Sequence, residues 1–360
     1  MDDKTLRVFA DALADPCLIL DRRSIVVHRN GAAAAEFPGA TPGQPIAFSL
    51  RHPALLAAIE SARRTGIAQS IELHQTVPNE TWHKVAVAPL TDRPLDGDEP
   101  APLLVVTMQS LTEARRIEAL RSDFIANASH ELRTPLASLV GFIDTLLGPA
   151  ARDPEARERF LGIMRTQAAR MSKLIDDLLS LSRIELRQHV RPTGSVELGR
   201  LLREVSEGLL AQAEAAGVAV TVTTPDEPIT VAGDHDELYE VFENLLDNAV
   251  KYGSDGKRVE VLLAPVSNRP GYAYAVTVTD FGAGIESEHV PRLTERFYRV
   301  DAESSRKKKG TGLGLAIVKH ILNRHRGVLS IRSRPGEGTR VEVLLPHYAG
   351  RPEGGPGVVP

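Results

Sequence analysis

At 360 residues the chain can hold two or three domains, each burying its own core, and its 42% hydrophobic content is ordinary for a globular protein. A formal net charge of −4 argues against a dedicated nucleic-acid binder, and a single cysteine, Cys17, excludes an intrachain disulfide or a cysteine-built metal cage. No stretch approaches the ~20 apolar residues of a membrane span, and the N-terminus lacks the basic-then-apolar pattern of a signal peptide, so the chain as written reads as cytoplasmic.

Residues 1–110 read as one small mixed domain. Cys17-Leu18-Ile19-Leu20 and Ile25-Val26-Val27 are apolar runs flanking Asp21-Arg22-Arg23-Ser24, the pattern of a hairpin. In a reducing compartment Cys17 is expected to be a buried apolar thiol. His52 to Arg64 has helical spacing, while Ile71 to Thr76, Trp82 to Ala88 and Leu103 to Met108 predict further strands. The Pro- and Asp-rich stretch 89–102 predicts a loop. The opening, with Asn30 closing the second strand, resembles a PAS sensor domain. His28, His52, His74 and His83 lack metal-ligand spacing and read as ordinary polar positions.

Residues 111–190 predict two long helices. Leu111, Ile117, Leu120, Phe124, Leu132, Leu136, Leu139, Ile143 and Leu147 follow helical spacing to a stop at Gly148-Pro149. Asp153-Pro154-Glu155 opens a second stripe running from Phe160 to Leu181. A helical hairpin cannot bury two such stripes alone, so a second copy completing an antiparallel four-helix bundle is expected. The first helix carries Ser129-His130-Glu131-Leu132-Arg133-Thr134-Pro135. His130 and Thr134, four apart, share a face, and Pro135 removes a donor and should kink the helix. An imidazole titrates near pH ~6.5, so a neutral ring nitrogen is available as nucleophile. Adjacent Glu131 can hold the other nitrogen and accept its proton.

Arg191-Pro192-Thr193-Gly194-Ser195 reads as a linker to an α/β sandwich domain over 196–347, followed by a Gly- and Pro-rich tail, 348–360, expected to be disordered. Its strands are predicted at Val218–Thr223, Arg258–Leu263, Tyr274–Thr279, Val328–Ser333 and Thr339–Leu345. A helix over Glu240–Tyr252 aligns Asn244, Asn248 and Tyr252 on one face, with Lys251 beside them. Amide oxygens suit Mg²⁺, which works alongside substrate phosphates. Asp280-Phe281-Gly282-Ala283-Gly284 follows a strand, and a carboxylate there can accept an exocyclic amine such as adenine's. Gly310-Thr311-Gly312-Leu313-Gly314 leads into a helix N-terminus, a setting suited to phosphate. Between them lie Arg296-Phe297-Tyr298-Arg299-Val300-Asp301 and the basic run Arg306-Lys307-Lys308-Lys309, the composition of a flexible lid before a phosphate loop.

The His130 tract, the asparagine tract, the two glycine segments and their order resemble the sensor histidine kinases. The resemblance spans roughly residues 124–339. It implies a multi-domain α+β chain: a PAS-like sensor domain (1–110), a dimeric histidine-phosphotransfer hairpin (111–190), and an ATP-binding domain (196–347) of the gyrase, Hsp90 and histidine kinase type. It implies ATP and Mg²⁺ as cofactors, with the metal at Asn248 together with Asn244. Lys251 is assigned to phosphate and Tyr252 to the adenine side. Asp280, Gly282 and Gly284 are assigned to the base, Gly310, Thr311, Gly312, Leu313 and Gly314 to the phosphates, and Arg299 to the terminal phosphate, with Phe297 packing the lid. His130, Glu131 and Thr134 would carry phosphoryl transfer, with Thr134 orienting water for dephosphorylation of the partner. The implied partners are a second copy of the chain and a response regulator with a receiver domain, without nucleic acid. The tracts Phe124-Ile125-Ala126-Asn127, Leu139-Val140-Gly141-Phe142-Ile143 and Leu293 to Asp301 resemble the phosphate-regulon branch, which implies phosphate-starvation signalling and phosphate-transport regulatory proteins as further partners. Relatives commonly carry N-terminal membrane helices, so membrane association through partners or an absent N-terminal anchor is the alternative to a cytoplasmic location. The rival reading is a gyrase- or Hsp90-type ATPase without phosphotransfer, which the His130 helix disfavours, as does Asn244 where such hydrolases would place a catalytic glutamate. A non-catalytic sensor scaffold is disfavoured by the complete Asn, Asp and Gly set.

Overall fold

The computed structural model describes residues 3–76, 80–90, 103–187, 189–266, 269–300 and 310–346. Most of the expected 89–102 loop, Asp301, the basic run 306–309 and the expected tail lie outside the described residues. The chain divides into two compact units, Met1–Ala126 and Asn127–Pro360.

The first unit contains α1 (Asp3–Asp11), β1 (Cys17–Leu20), β2 (Val26–Arg29), α2 (Gly31–Glu36), α3 (Pro53–Thr65), β3 (Gln69–Gln75), β4 (Thr81–Pro89) and β5 (Leu104–Ser110). The strands form one antiparallel sheet in the order β2-β1-β5-β4-β3. All of β1 is buried because the sheet is covered on both sides there. Leu18 and Leu20 join a core with Leu55 and Ile59 of α3, while Cys17 and Ile19 pack with Leu6 and Ala10 of α1. This explains the unbroken apolar run, which alternation alone would not produce. Burial, helped by the negative charge of Asp11, pushes the Cys17 thiol up to about 11, so it stays protonated. His28 pairs with Asp11, His74 with Glu80 and His83 with Glu36. Among the described residues no His, Cys, Asp and Glu cluster could hold a metal.

Asn30 organises this unit. Its Oδ1 accepts from the backbone N–H groups of Cys17 and Ala33, and its Nδ2 donates to the carbonyls of Ala10, Leu13 and Asp15. One amide thereby caps α2 and ties the end of α1 and its following turn to the start of β1.

The second unit begins inside α4 (Thr112–Leu147), which is followed by α5 (Pro154–Leu186). The helix continues through Pro135. Asp153 caps α5 by accepting from Ala156 N–H, with Pro154 in the first turn. Phe142 stacks on Phe160 across the hairpin, 5.2 Å between centroids.

Beyond it come β6 (Ser195–Glu197), α6 (Leu198–Gly208), α7 (Leu210–Ala216), β7 (Ala219–Thr223), β8 (Thr230–Ala232), α8 (His235–Tyr252), β9 (Arg258–Pro265), β10 (Tyr272–Asp280), α9 (Gly314–Arg324), β11 (Val328–Arg334) and β12 (Gly338–Pro346). The main sheet runs β11-β12-β10-β9-β7, with only β7 and β9 parallel. Helices α6, α8 and α9 pack together, with α8 also packed on β9 and β10. The expected linker ends earlier than its composition predicts: Ser195 already pairs with Ala232 in a small β6–β8 ribbon, because Val196 is buried. Helix α8 starts before the expected Glu240, because Asp234 accepts from the N–H groups of Asp236 and Glu237.

The helical layer is cross-braced by a buried ion pair between Arg324 and Glu237. Next to it, His325 donates from Nδ1 to Ile321 O and accepts Asp234 N–H at Nε2. That tautomer is neutral, as its burial favours. No helix among the described residues is long and apolar enough to cross a membrane.

Asn30→Ala removes both the cap and three carbonyl partners at a site 1% exposed. It should lower unfolding stability of the first unit by ~2–4 kcal/mol. Urea unfolding followed by fluorescence of Trp82, the single tryptophan of the chain, measures it, because Trp82 lies in the same unit.

Candidate active site

A cavity of about 310 Å³ opens where α8, the end of β10 and the start of α9 converge. Helix α8 buries Leu238, Val241, Phe242, Leu245, Leu246, Ala249 and Val250 and presents the intervening polar positions to the cavity. Asn244, Asn248, Lys251 and Tyr252 all line it, as the i, i+4, i+8 spacing predicts. Asn244 donates to Glu240 O at 2.8 Å. The Asn248 amide has no hydrogen-bond partner among the described residues, and Tyr252 stands at the rim, 38% exposed.

Asp280, 7% exposed at the end of β10, also lines the cavity. Its Oδ1 accepts Gly282 N–H at 3.0 Å and Thr339 N–H at 3.3 Å, which fixes the carboxylate. Gly284 is in the wall, but Gly282 is not; a side chain on Gly282 would collide with the Tyr252 carbonyl. Gly282 thus sets the spacing between β10 and α8.

At the opposite wall stand Gly310, Thr311, Gly312 and Gly314. Leu313 is fully buried at the N-cap of α9, so it anchors the loop from within the core. A Cβ on Gly314 would lie 2.5 Å from Asn244 Oδ1. The N-terminal turn of α9, with its unpaired N–H groups, therefore reaches the cavity. Phe297, at φ +63°, donates its N–H to Gly312 O at 2.8 Å and so pins the lid segment to this loop.

His130 is exposed and its side chain has no partner among the described residues. Thr134 Oγ1 donates to the His130 carbonyl at 3.2 Å, one turn back. The expected Glu131–imidazole contact is absent. Successive residues on a helix point in different directions, and Glu131 instead lies between two arginines, 3.1 Å from Arg170 and 3.0 Å from Arg299. Arg299 lines the cavity, has a side chain only 9% exposed, and leaves its buried Nε without a partner. Likewise Lys251 is paired, its ammonium 2.5 Å from Asp247.

Several residues at the site were not singled out by sequence: Arg170, Lys173 and Asp177 on α5, Gln212 on α7, and Asp247. The first three fall at i, i+3 and i+7, a polar stripe beside an apolar one, and that periodicity was their only signal. Thr311 donates to Asp177 at 2.6 Å, and Ser180 donates to Glu240 at 2.8 Å. Burial pushes both carboxyls up, against the pull of the hydroxyls; the charge of Asp176 adds to the rise at Asp177, and those of Asp177 and Glu243 add to it at Glu240.

Residues 233–349 match the family described as histidine kinase-, DNA gyrase B-, and HSP90-like ATPase, and residues 120–187 match the His Kinase A (phospho-acceptor) domain. The first match implies ATP binding. The phosphate regulon sensor protein PhoR of Pseudomonas aeruginosa is 34% identical over 91% of this chain and 71% of its own length. The sensor protein kinase WalK of Staphylococcus saprophyticus is 35% identical over 67% of this chain, which spans 39% of that relative. Among solved structures, histidine kinase ThkA in complex with response regulator protein TrrA has a similar fold (TM-score 0.51, 16% identity), covering 96% of this chain and 98% of that one.

Two expectations follow from this geometry. Gly314→Ala crowds Asn244 at a cost of ~1–3 kcal/mol, so ATP affinity measured by calorimetry should fall about tenfold. The second concerns pH. A carboxyl raised in the folded state adds stability that is fully present below the ordinary carboxylate range and lost as pH rises through its raised value. Asp177→Asn keeps the Thr311 contact without the charge. It should flatten the fall of thermal stability as pH rises above the ordinary carboxylate range and raise the melting temperature where the parent carboxylate is ionised.

Proposed function

The chain belongs to the sensor histidine kinase family, and on that premise we propose that it phosphorylates its own His130 from Mg-ATP. It then passes the phosphoryl group to an aspartate of a response regulator with a receiver domain, and removes that phosphate again at the same helix. The observation that carries this reading is Arg299, which belongs to the wall of the cavity and also pairs with Glu131, the neighbour of His130. A single side chain thus bridges the cavity wall and the helix that carries His130.

In the transfer, a neutral ring nitrogen of His130 attacks the terminal phosphorus. The P–N bond forms, the bond to the bridging oxygen breaks, and ADP leaves. Arg299 moves from Glu131 to the terminal phosphate, where its unused Nε and both Nη groups stabilise developing charge. Glu131, released from Arg299, turns toward His130 and takes the one N–H proton of the ring, from the nitrogen that does not attack. Adenine is read by Asp280 and Tyr252, and the phosphates lie against the segment from Gly310 to Gly314 and Lys251. The amide oxygens of Asn248 and Asn244 fit Mg²⁺, which when bound neutralises phosphate charge. Thr134, held on the His130 face, orients water for the phosphatase step.

Two copies pairing through the hairpin would cover Leu136, Val140, Ile143, Leu161 and Leu179, all exposed in the single chain. We assign the first unit a PAS-like sensing role, and the similarity to PhoR supports phosphate-starvation signalling with phosphate-transport regulators as partners.

His130→Gln should abolish acid-labile, alkali-stable label from γ-labelled ATP while leaving ATP affinity within about twofold, because the cavity does not include His130. Retained labelling at full stoichiometry would sink the assignment. Thr134→Ala should keep autophosphorylation within a few-fold yet lose most phosphatase activity toward the phosphorylated regulator, both measured on purified protein.

A further inference from the structure

Asp247 directly precedes Asn248 yet plays no part in the mechanism above. It is 7% exposed and lines both the cavity and a wider groove between α5, α7 and α8. A carboxylate at such a depth is costly unless paired and hydrogen-bonded, and this one is served by three elements. Oδ2 takes Lys251 of α8 at 2.5 Å and faces Lys173 of α5 at 3.4 Å, while Oδ1 takes Gln212 of α7 at 2.6 Å. Two ammonium groups and a side-chain amide thus converge on one carboxylate.

Position explains what this pairing does. Lys251 lies one turn beyond Asp247 on α8, between the face that carries Asn244 and Asn248 and the face that looks toward the hairpin. A four-carbon stem can swing to either side. Asp247 removes that freedom by holding the ammonium at the boundary between cavity and groove. The same oxygen draws in Lys173, a residue of the phosphoacceptor hairpin. One carboxylate thus serves two ammonium groups, one from each side of the transfer reaction.

We propose that Asp247 is a positioning residue for phosphoryl transfer: it fixes Lys251 at the cavity wall and, through Lys173, links the catalytic domain to the hairpin that carries His130. This rests on the reading of the cavity as the ATP site. Two effects of opposite sign follow. Asp247 offsets positive charge where phosphates bind, so it weakens nucleotide binding; it also orders the two lysines, so it speeds transfer.

Asp247→Asn keeps size and much of the hydrogen bonding. In the full chain it should tighten ATP and ADP binding by roughly fivefold and slow His130 phosphorylation at saturating ATP by about tenfold or more. Loss of packing alone would weaken both together. Lys173→Met, at a side chain 48% exposed, provides a variant with little folding risk. It should slow transfer without tightening ATP, and the double variant should be no slower than Asp247→Asn alone. Unchanged transfer in Asp247→Asn, parallel losses of affinity and rate, or additive losses in the double variant would each overturn the proposal. If the parent chain itself neither binds ATP nor labels His130, the functional reading fails first, and that result is visible before any variant is compared.

Discussion

Helix α9 begins where the side chain of Asn244 ends, and the cavity exists because nothing larger than hydrogen stands on Gly314 between them. Helices packed through ordinary side chains stay 8–10 Å apart. Here the start of one is brought against the middle of the other, so the unpaired N–H groups of α9 and the amides of α8 face the same space. The Arg324–Glu237 pair and His325 hold the far end of α9 to the start of α8. The approach is thus fixed at both ends, by a missing side chain at one and by buried polar contacts at the other.

The hairpin meets this domain through polar contacts at the points where chemistry would occur. Glu131 is shared between Arg170 of its own hairpin and Arg299 of the cavity wall. Thr311 of the glycine segment is engaged by Asp177. Under the proposed assignment both contacts engage groups that would hold phosphates, so in this arrangement the hairpin and the cavity wall satisfy each other. Leu174, Leu181 and Ile184 are buried where α9 packs on α5, which supplies apolar adhesion behind the polar front.

Much of this was legible in the sequence because local rules coincide with global ones. The strands of both sheets follow apolar runs, and α5 begins at Asp153-Pro154 as capping preferences require. The α8 face was readable because helical spacing alone aligns Asn244, Asn248 and Tyr252. Contacts between distant elements were not readable. Glu131 and His130 are neighbours in sequence and so invited pairing, but a helix turns adjacent side chains apart, and the partners of Glu131 come from 39 and 168 residues away. Leu313 and Gly282 sit within motifs most of whose members line the cavity, but they serve packing. Helices α1 and α2 were not legible because both are short, and α2, a run of alanines, starts at Asn30, whose five partners are spread over separate segments.

The two arginine contacts to the hairpin differ in how far water reaches them. Arg296, at the start of the lid segment, meets Glu185 at 2.5 Å with side chains 28% and 35% exposed. Arg299 is 9% exposed against Glu131, and the Thr311–Asp177 bond has a neutral donor. Mobile ions weaken partly hydrated pairs far more than enclosed ones. Rising ionic strength therefore loosens the Arg296–Glu185 contact first and leaves Arg299 and Thr311 engaged, so the salt content of the surrounding solution sets the order in which the hairpin comes away from this wall.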